Sequence, residues 1–359
     1  MKCKIYLSDE GYGHIIRQKA ITDSLLSLLN HDILFDVQTK NNFEVAKKIF
    51  EGFKCIERYN NISWLKLEDG SPDLLAIKKH YIDYLDVSND FVITEQQCLE
   101  PYDFLISDFV YEAFEIGNLS SIPTFGVAHF TWDWFFSKLY PPSVQTKVLD
   151  YLFLLSKKAT RIYFPPFTPK EILKHYKNAV SVPLIVRNQR INQIKFTDEN
   201  FKVLIIDSGS GLLKSHIETA LKNVNQLKDI SFYIPDLYTE KAENIKEIPY
   251  SDLLINYIGG VDLVISRAGF NTISECIALR TPMLLIGEAM NPEIQENIIN
   301  LKYHGLASFI SLNTFSQDLN NFLPTFIKNE YKVVKESMQN HSFEVNGAEI
   351  IAEDILNNL

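Results

Sequence analysis

Residues 6–21, YLSDEGYGHIIRQKAI, decide how this chain is to be read. A strand-like run, KCKIYLS (residues 2–8), leads into the segment. A helical spacing of apolar residues, Ile15, Ile16, Ala20, Ile21 and Leu25, leads out of it. Strand, glycine turn and helix in that order open a βαβ unit. Such a turn usually cradles a phosphate, because its exposed N–H groups and the helix dipole favour an anion. This one also carries a histidine, His14, at the start of the helix. The turn therefore reads in one of two ways, as a phosphate cradle or as the carrier of a catalytic base.

The pattern continues outward. DILFDVQT, DFLISDF, TFGVAHF and RIYFPPF read as further strands, with helical segments between them such as NFEVAKKIFEGF. Short apolar strands separated by helices predict a parallel sheet covered on both faces. The segments PPFTPKEIL and VPLIVRNQRINQIKFTDEN break the alternation and read as an interdomain connection, after which it restarts. FKVLIID is a strand, SGSG a turn and LLKSHIETALKNV a helix. ISFYIPD, VDLVISR, PMLLIGE and LASFIS follow as strands. The expectation is an α/β chain of two doubly wound, Rossmann-like domains, residues 1–185 and 186–340, facing a central cleft. A final helix within 341–359 is a candidate to pack back on the first domain. Ligands of such sheets bind beyond the carboxyl ends of the strands, so both glycine turns would border that cleft.

Bulk properties narrow the function classes. The chain has 359 residues, a length suited to two domains, and its 46% hydrophobic content excludes a disordered chain. A formal net charge of −10 argues against a dominant nucleic-acid surface and weakens attachment to anionic lipid, leaving at most peripheral membrane contact. Cys3, Cys55, Cys98 and Cys276 form neither a CxxC pair nor a zinc spacing, so they read as thiols of a reducing compartment. With no apolar run of about twenty residues, the expectation is a soluble cytoplasmic protein. Oligomeric state is not encoded in any motif.

Two C-terminal segments could hold an anion. Ser208, Gly209, Ser210 and Gly211 lie between a strand and a helix, but lack the P-loop lysine, so a phosphate loop and a plain βα turn are equally supported. The richer segment is VDLVISRAGFNTISECIALRTPMLLIGEAMNPEIQEN (261–297). Its strand ends at Ser266 and Arg267. A turn with Gly269 and Asn271 then starts a helix that Thr272 could cap. Glu275, one turn into that helix, suits the paired hydroxyls of a ribose. Glu293 and Gln295, in a loop entering the next helix, suit sugar hydroxyls.

This segment resembles the donor-binding region of the GT-B glycosyltransferases, particularly plant-type UDP-sugar transferases and the N-acetylglucosaminyltransferase of peptidoglycan synthesis. The resemblance implies that Gly269-Phe270-Asn271-Thr272 binds a pyrophosphate, that Glu275 binds ribose, and that Glu293 and Gln295 bind the donor sugar. Here Ile294 separates the last two, which are adjacent in the family, and Arg267 stands where plant relatives commonly have histidine. SGSG resembles the phosphate loop of the peptidoglycan enzyme. In the first half, Gly11-Tyr12-Gly13-His14 resembles the Gly-x-Gly-His turn of related transferases, including the transferase-like region of plant arabinokinases. The stretch from Asp103 through Trp134 resembles their Asp-bearing strand, so His14 and Asp108 match the family's catalytic dyad.

The chemistry of the residues agrees with that implication. A histidine at a helix N-terminus tends to stay neutral, because the dipole disfavours its cation, and so can accept a proton. A strand-end carboxylate such as Asp108 can orient the ring. On this reading the first turn delivers the base and the phosphate cradle lies in the second domain. Gly13, His129 and Trp132 are candidates to line the acceptor pocket, although His129 also reads as a strand-end polar residue and Trp132 as core. No metal is called for, since no DxD pair is evident. No cofactor is implied either: the nucleotide-sugar, a UDP-sugar by default, is a substrate. The expected reaction is metal-independent inverting transfer to a hydroxyl of a saccharide, lipid-linked saccharide, protein or metabolite. Two alternatives keep the fold. One is a nucleotide-sugar hydrolase of nonulosonic acid biosynthesis, which shares a Gly-x-Gly-His turn. The other is a non-catalytic nucleotide-sugar-binding protein.

Overall fold

The computed structural model describes the chain except residues 10, 59–64, 66–72, 141, 188–193, 208–212, 239, 250–253 and 288–290. It divides into two compact units, Met1–Asn188 with Asn346–Leu359, and Gln189–Val345. Among the described residues the first unit has strands β1 (Lys2–Leu7), β2 (Leu34–Thr39), β3 (Lys54–Glu57), β4 (Phe104–Asp108), β5 (Thr124–Val127), β6 (Arg161–Phe164) and β7 (Ala179–Ser181). They form one parallel sheet in the order β3-β2-β1-β4-β5-β6-β7. The second unit has β8 (Phe201–Ile206), β9 (Ile230–Pro235), β10 (Ile245–Ile248), β11 (Leu263–Arg267), β12 (Met283–Ile286) and β13 (Ala307–Ile310). These form a second parallel sheet, β10-β9-β8-β11-β12-β13.

Each sheet reverses its winding once. In the first, the chain moves outward from β1 to β3 and returns to place β4 on the other side of β1. In the second, β8 and β11 are the corresponding neighbours. The connections that leave these strands diverge and open a crevice at their carboxyl ends, where ligands of such sheets bind. His14 follows β1, Asp108 ends β4 and Arg267 ends β11, so each unit has candidate residues at its own switch point.

Alternation along β1 explains how both faces are buried. Cys3, Ile5 and Leu7 pack in one core with Ile15, Ile21 and Leu25 of the helix Gly13–Leu28, and with Ile351 and Ile355 of the helix Gly347–Leu356. Tyr6 faces the other way, into a core with Val92, Leu105 and Ile116. Lys4 shares that second face and pairs there with Glu95, which also binds Arg58. The last helix therefore belongs to the first unit. Its entry is tight: Gly347 N–H donates to Leu184 O at 3.0 Å, and a Cβ on Gly347 would lie 2.2 Å from Pro183 O.

Every strand read from the sequence is present. The additional ones, β3, β7 and β10, are all sheet edges. An edge strand is half-covered, so its sequence (KCIE, AVS, IKEI) lacks the continuous apolar run that marks the central strands. Among the described residues no helix is long and apolar enough to cross a membrane.

Candidate functional site

The first unit's site grows from the turn after β1. Gly11 adopts φ +69°, a left-handed conformation that glycine takes without strain. Asp9 anchors the turn: its Oδ1 accepts from Thr39 Oγ1 at 2.8 Å and from the backbone N–H groups of Lys40 at 2.7 Å and Asn41 at 3.0 Å. Gly13 and His14 are then the first two residues of the helix Gly13–Leu28. On the neighbouring strand, Asp108 is in register with Leu7. The next residue, Phe109, is held at φ +47°, an uncommon conformation for an aromatic residue. Two features secure that turn. Ser107 Oγ accepts from Val110 N–H at 2.9 Å, and the Phe109 ring packs edge-on against Tyr111 at 4.7 Å.

These two elements bring His14 and Asp108 together, with Nδ1 2.6 Å from Oδ1. The structure adds two partners that sequence reasoning missed. Arg17 Nε donates to Asp108 Oδ2 at 3.1 Å and its Nη2 to Oδ1, a bidentate grip. Gln18 Nε2 donates to Oδ2 at 2.9 Å. His14, Arg17 and Gln18 stand at i, i+3 and i+4, on one helix face. The signal available in the sequence was a pair of polar residues on the face turned toward the sheet. Both are buried, and so is Asp108. Burial alone would raise the Asp108 carboxyl. The adjacent Arg17 charge and the His14 contact outweigh burial and hold it well below the usual carboxylate range. An ionised carboxylate only accepts hydrogen bonds, so the proton between the pair belongs to His14 Nδ1. In the neutral ring the lone pair is then on Nε2 of His14.

His129 lies beyond β5, 2.9 Å from Arg17 Nη1 through its Nδ1. It therefore joins the same cluster. Trp132 does not. Its indole packs against Phe136 and Phe130 within the aromatic core, 4% exposed, and its backbone N–H donates to Tyr111 Oη at 3.1 Å. An acceptor sugar has no face of this ring to stack on.

The second unit's site follows β11. Arg267 is the last residue of the strand and Gly269 the N-cap of the helix Phe270–Ala278. Thr272 does not cap this helix. It lies inside the first turn, and the N-cap position is held by Gly269, which has no side chain to cap with. Asn271 and Glu275 stand at i and i+4 on one face, and Glu275 is largely buried. Asn297, also missed from sequence, steadies the turn: its Nδ2 donates to Ala268 O at 2.9 Å.

Glu293 and Gln295 lie within the first turn of the helix Pro292–His304, not in a loop before it. Asn291 Oδ1 caps that helix through Ile294 N–H at 3.3 Å, and Pro292 occupies its first position. Two residues apart on a helix point to different sides, and the buried Ile294 lies between them, so they do not form one paired grip. Ser208, Gly209 and Ser210 lie outside the described residues. The flanks of that segment are joined by Leu213 N–H donating to Asp207 Oδ2 at 3.2 Å.

Comparison with known proteins agrees with this architecture. Residues 216–354 match the glycosyltransferase family 28 C-terminal domain. A segment of 88 residues is 33% identical to the UDP-N-acetylglucosamine–N-acetylmuramyl-(pentapeptide) pyrophosphoryl-undecaprenol N-acetylglucosamine transferase of Thermosipho africanus. That match spans 24% of this chain and about a quarter (26%) of the relative. Among solved structures, the glycotransferase of kitacinnamycin superposes with a TM-score of 0.69 at 14% identity, covering 100% of this chain and 99% of its own. Arabidopsis thaliana UGT89C1, solved with UDP, superposes with a TM-score of 0.66 at 12% identity, covering 99% and 98%. Residues 216–354 are thus similar to a glycosyltransferase family 28 C-terminal domain, and the two-unit architecture is that of the GT-B fold.

Proposed function

We propose that this protein transfers a glycosyl group from a nucleotide-activated donor to an acceptor hydroxyl, with inversion at the anomeric carbon. The observation that carries the reading is the His14–Asp108 contact at 2.6 Å, at the switch point of the first sheet. His14 Nε2 accepts the hydroxyl proton as the acceptor oxygen bonds to the anomeric carbon. Asp108 keeps Nδ1–H in place and stabilises the imidazolium as it forms. The bond from the anomeric carbon to the phosphate oxygen breaks, and the diphosphate leaves with the electron pair. One displacement inverts the centre.

In the second unit, Arg267, Gly269, Asn271, Thr272 and the positive dipole end of the helix Phe270–Ala278 suit the negative charge that develops on the diphosphate. This assignment calls for no metal. Glu275 suits the ribose hydroxyls, and Glu293 is the nearer of the two sugar-binding candidates to its helix start. A uridine nucleotide is supported by the UDP named with the plant structure and by the UDP-sugar in the curated relative's name. Gly13 and His129 would border the acceptor.

The test is His14→Ala. Transfer to a panel of hydroxyl acceptors should be lost while UDP still raises the melting temperature. Transfer at the wild-type rate in this variant would remove the base assignment. Steady release of free sugar by the wild type, with no acceptor product, would redirect the reading to hydrolysis.

A further inference from the structure

The cluster around Asp108 contains more than a base and its carboxylate. Arg17 is 2% exposed, His129 is 8% exposed and Asp108 is fully buried, and three of the Arg17 nitrogens are directed at this cluster. A guanidinium only donates hydrogen bonds. The 2.9 Å contact from Arg17 Nη1 to His129 Nδ1 therefore requires a lone pair on that nitrogen, which places the His129 proton on Nε2. The opposite holds at His14. Its Nδ1 faces an acceptor-only carboxylate and carries the proton, so the 3.2 Å approach of Arg17 Nη2 to it is a contact between two donors that share Asp108 Oδ1.

We propose that Arg17 is a positioning residue that holds the His129 imidazole in the tautomer opposite to the one Asp108 imposes on His14. It fixes the Asp108 carboxylate with one edge of its fork and the His129 ring with the other. His14 presents a lone pair on Nε2 and His129 an N–H. Only one of the two histidines is then able to act as a base. His129 is a hydrogen-bond donor, suited to an oxygen of the acceptor and unable to remove a proton from it. This last assignment rests on the transferase reading; the tautomers themselves do not. Lysine could not substitute, because a single ammonium cannot span both Asp108 oxygens and a ring nitrogen in a fixed plane.

The experiment is long-range ¹H–¹⁵N spectroscopy of the full-length protein labelled at histidine, without donor or acceptor, near neutral pH. His14→Gln and His129→Gln assign the signals. Wild type should show His14 protonated at Nδ1 and His129 protonated at Nε2, each as a single tautomer. In Arg17→Lys and Arg17→Gln, His129 should lose its single-tautomer signature while His14 keeps its own. The inference is overturned if wild-type His129 is protonated at Nδ1 or doubly protonated, or if His129 is unchanged in both variants. Should either variant fail to fold, the wild-type spectrum and the remaining variant decide. No turnover is measured, so a negative result leaves the transferase reading intact, and an active His14→Ala enzyme leaves the tautomer assignment intact.

Discussion

Asp108 Oδ1 is shared by His14 Nδ1 and Arg17 Nη2, two groups one helical turn apart that meet a strand more than ninety residues further along the chain. The carboxylate thus belongs at once to an ion pair and to a base. Replacing it separates the two roles. Asp108→Asn keeps the size but loses the obligatory acceptor for Nδ1–H, so the His14 tautomer is no longer fixed. Turnover is expected to fall on the order of 10²–10⁴-fold. Arg17 would be left as a buried charge without its partner, a loss of roughly 3–5 kcal/mol. Steady-state kinetics and denaturant unfolding of the same variant check the two outcomes.

The same carboxylate sets an acid dependence. Its ordinary value is 3.8, and in the fold it is depressed because Arg17 and His14 outweigh the effect of burial. Between those two values the unfolded chain binds the proton and the folded chain does not. The stabilisation is therefore complete above the ordinary value and is lost as pH falls through it toward the folded value. Urea unfolding at a series of pH values below about 5 should show wild type losing stability faster than Asp108→Asn. Parallel curves would show that the carboxylate is not held ionised.

Glu275 offers a test of the nucleotide site that does not require an acceptor. Among nucleoside mono- and diphosphates, one diphosphate is expected to raise the melting temperature selectively. Glu275→Ala should lower its affinity by about tenfold or more, the loss of a charged hydrogen-bond pair to ribose. Equal stabilisation of variant and wild type would remove Glu275 from the site. Selective stabilisation by CMP alone would redirect the donor toward nonulosonic acids.

Gly347 governs how the chain returns to its first unit. An added Cβ would meet Pro183 O at 2.2 Å and Leu184 O at 2.9 Å, both backbone atoms that cannot swing aside. Gly347→Ala should destabilise by about 1–3 kcal/mol. Limited proteolysis should then release the helix Gly347–Leu356 sooner than in wild type. Unchanged melting and cleavage would show that this segment shifts without penalty.

The sequence by itself determined the alternation of strand and helix, the central strands of both sheets, the paired glycine turns and the residue types that follow β1, β4 and β11. These signals are local: a strand buried on both faces must be continuously apolar, and a helix start must bring small or polar residues to the turn before it. Tertiary structure alone decided the rest. The edge strands β3, β7 and β10 carry no continuous apolar run. Arg17 and Gln18 look like ordinary polar helix residues until β4 is placed beside them, and Asn297 until its helix meets Ala268. Glu293 and Gln295 appear paired in a linear reading and diverge once the helix begins at Pro292. Each of these depends on a partner distant in sequence or on a helical rotation, which the order of the residues nearby does not specify by itself.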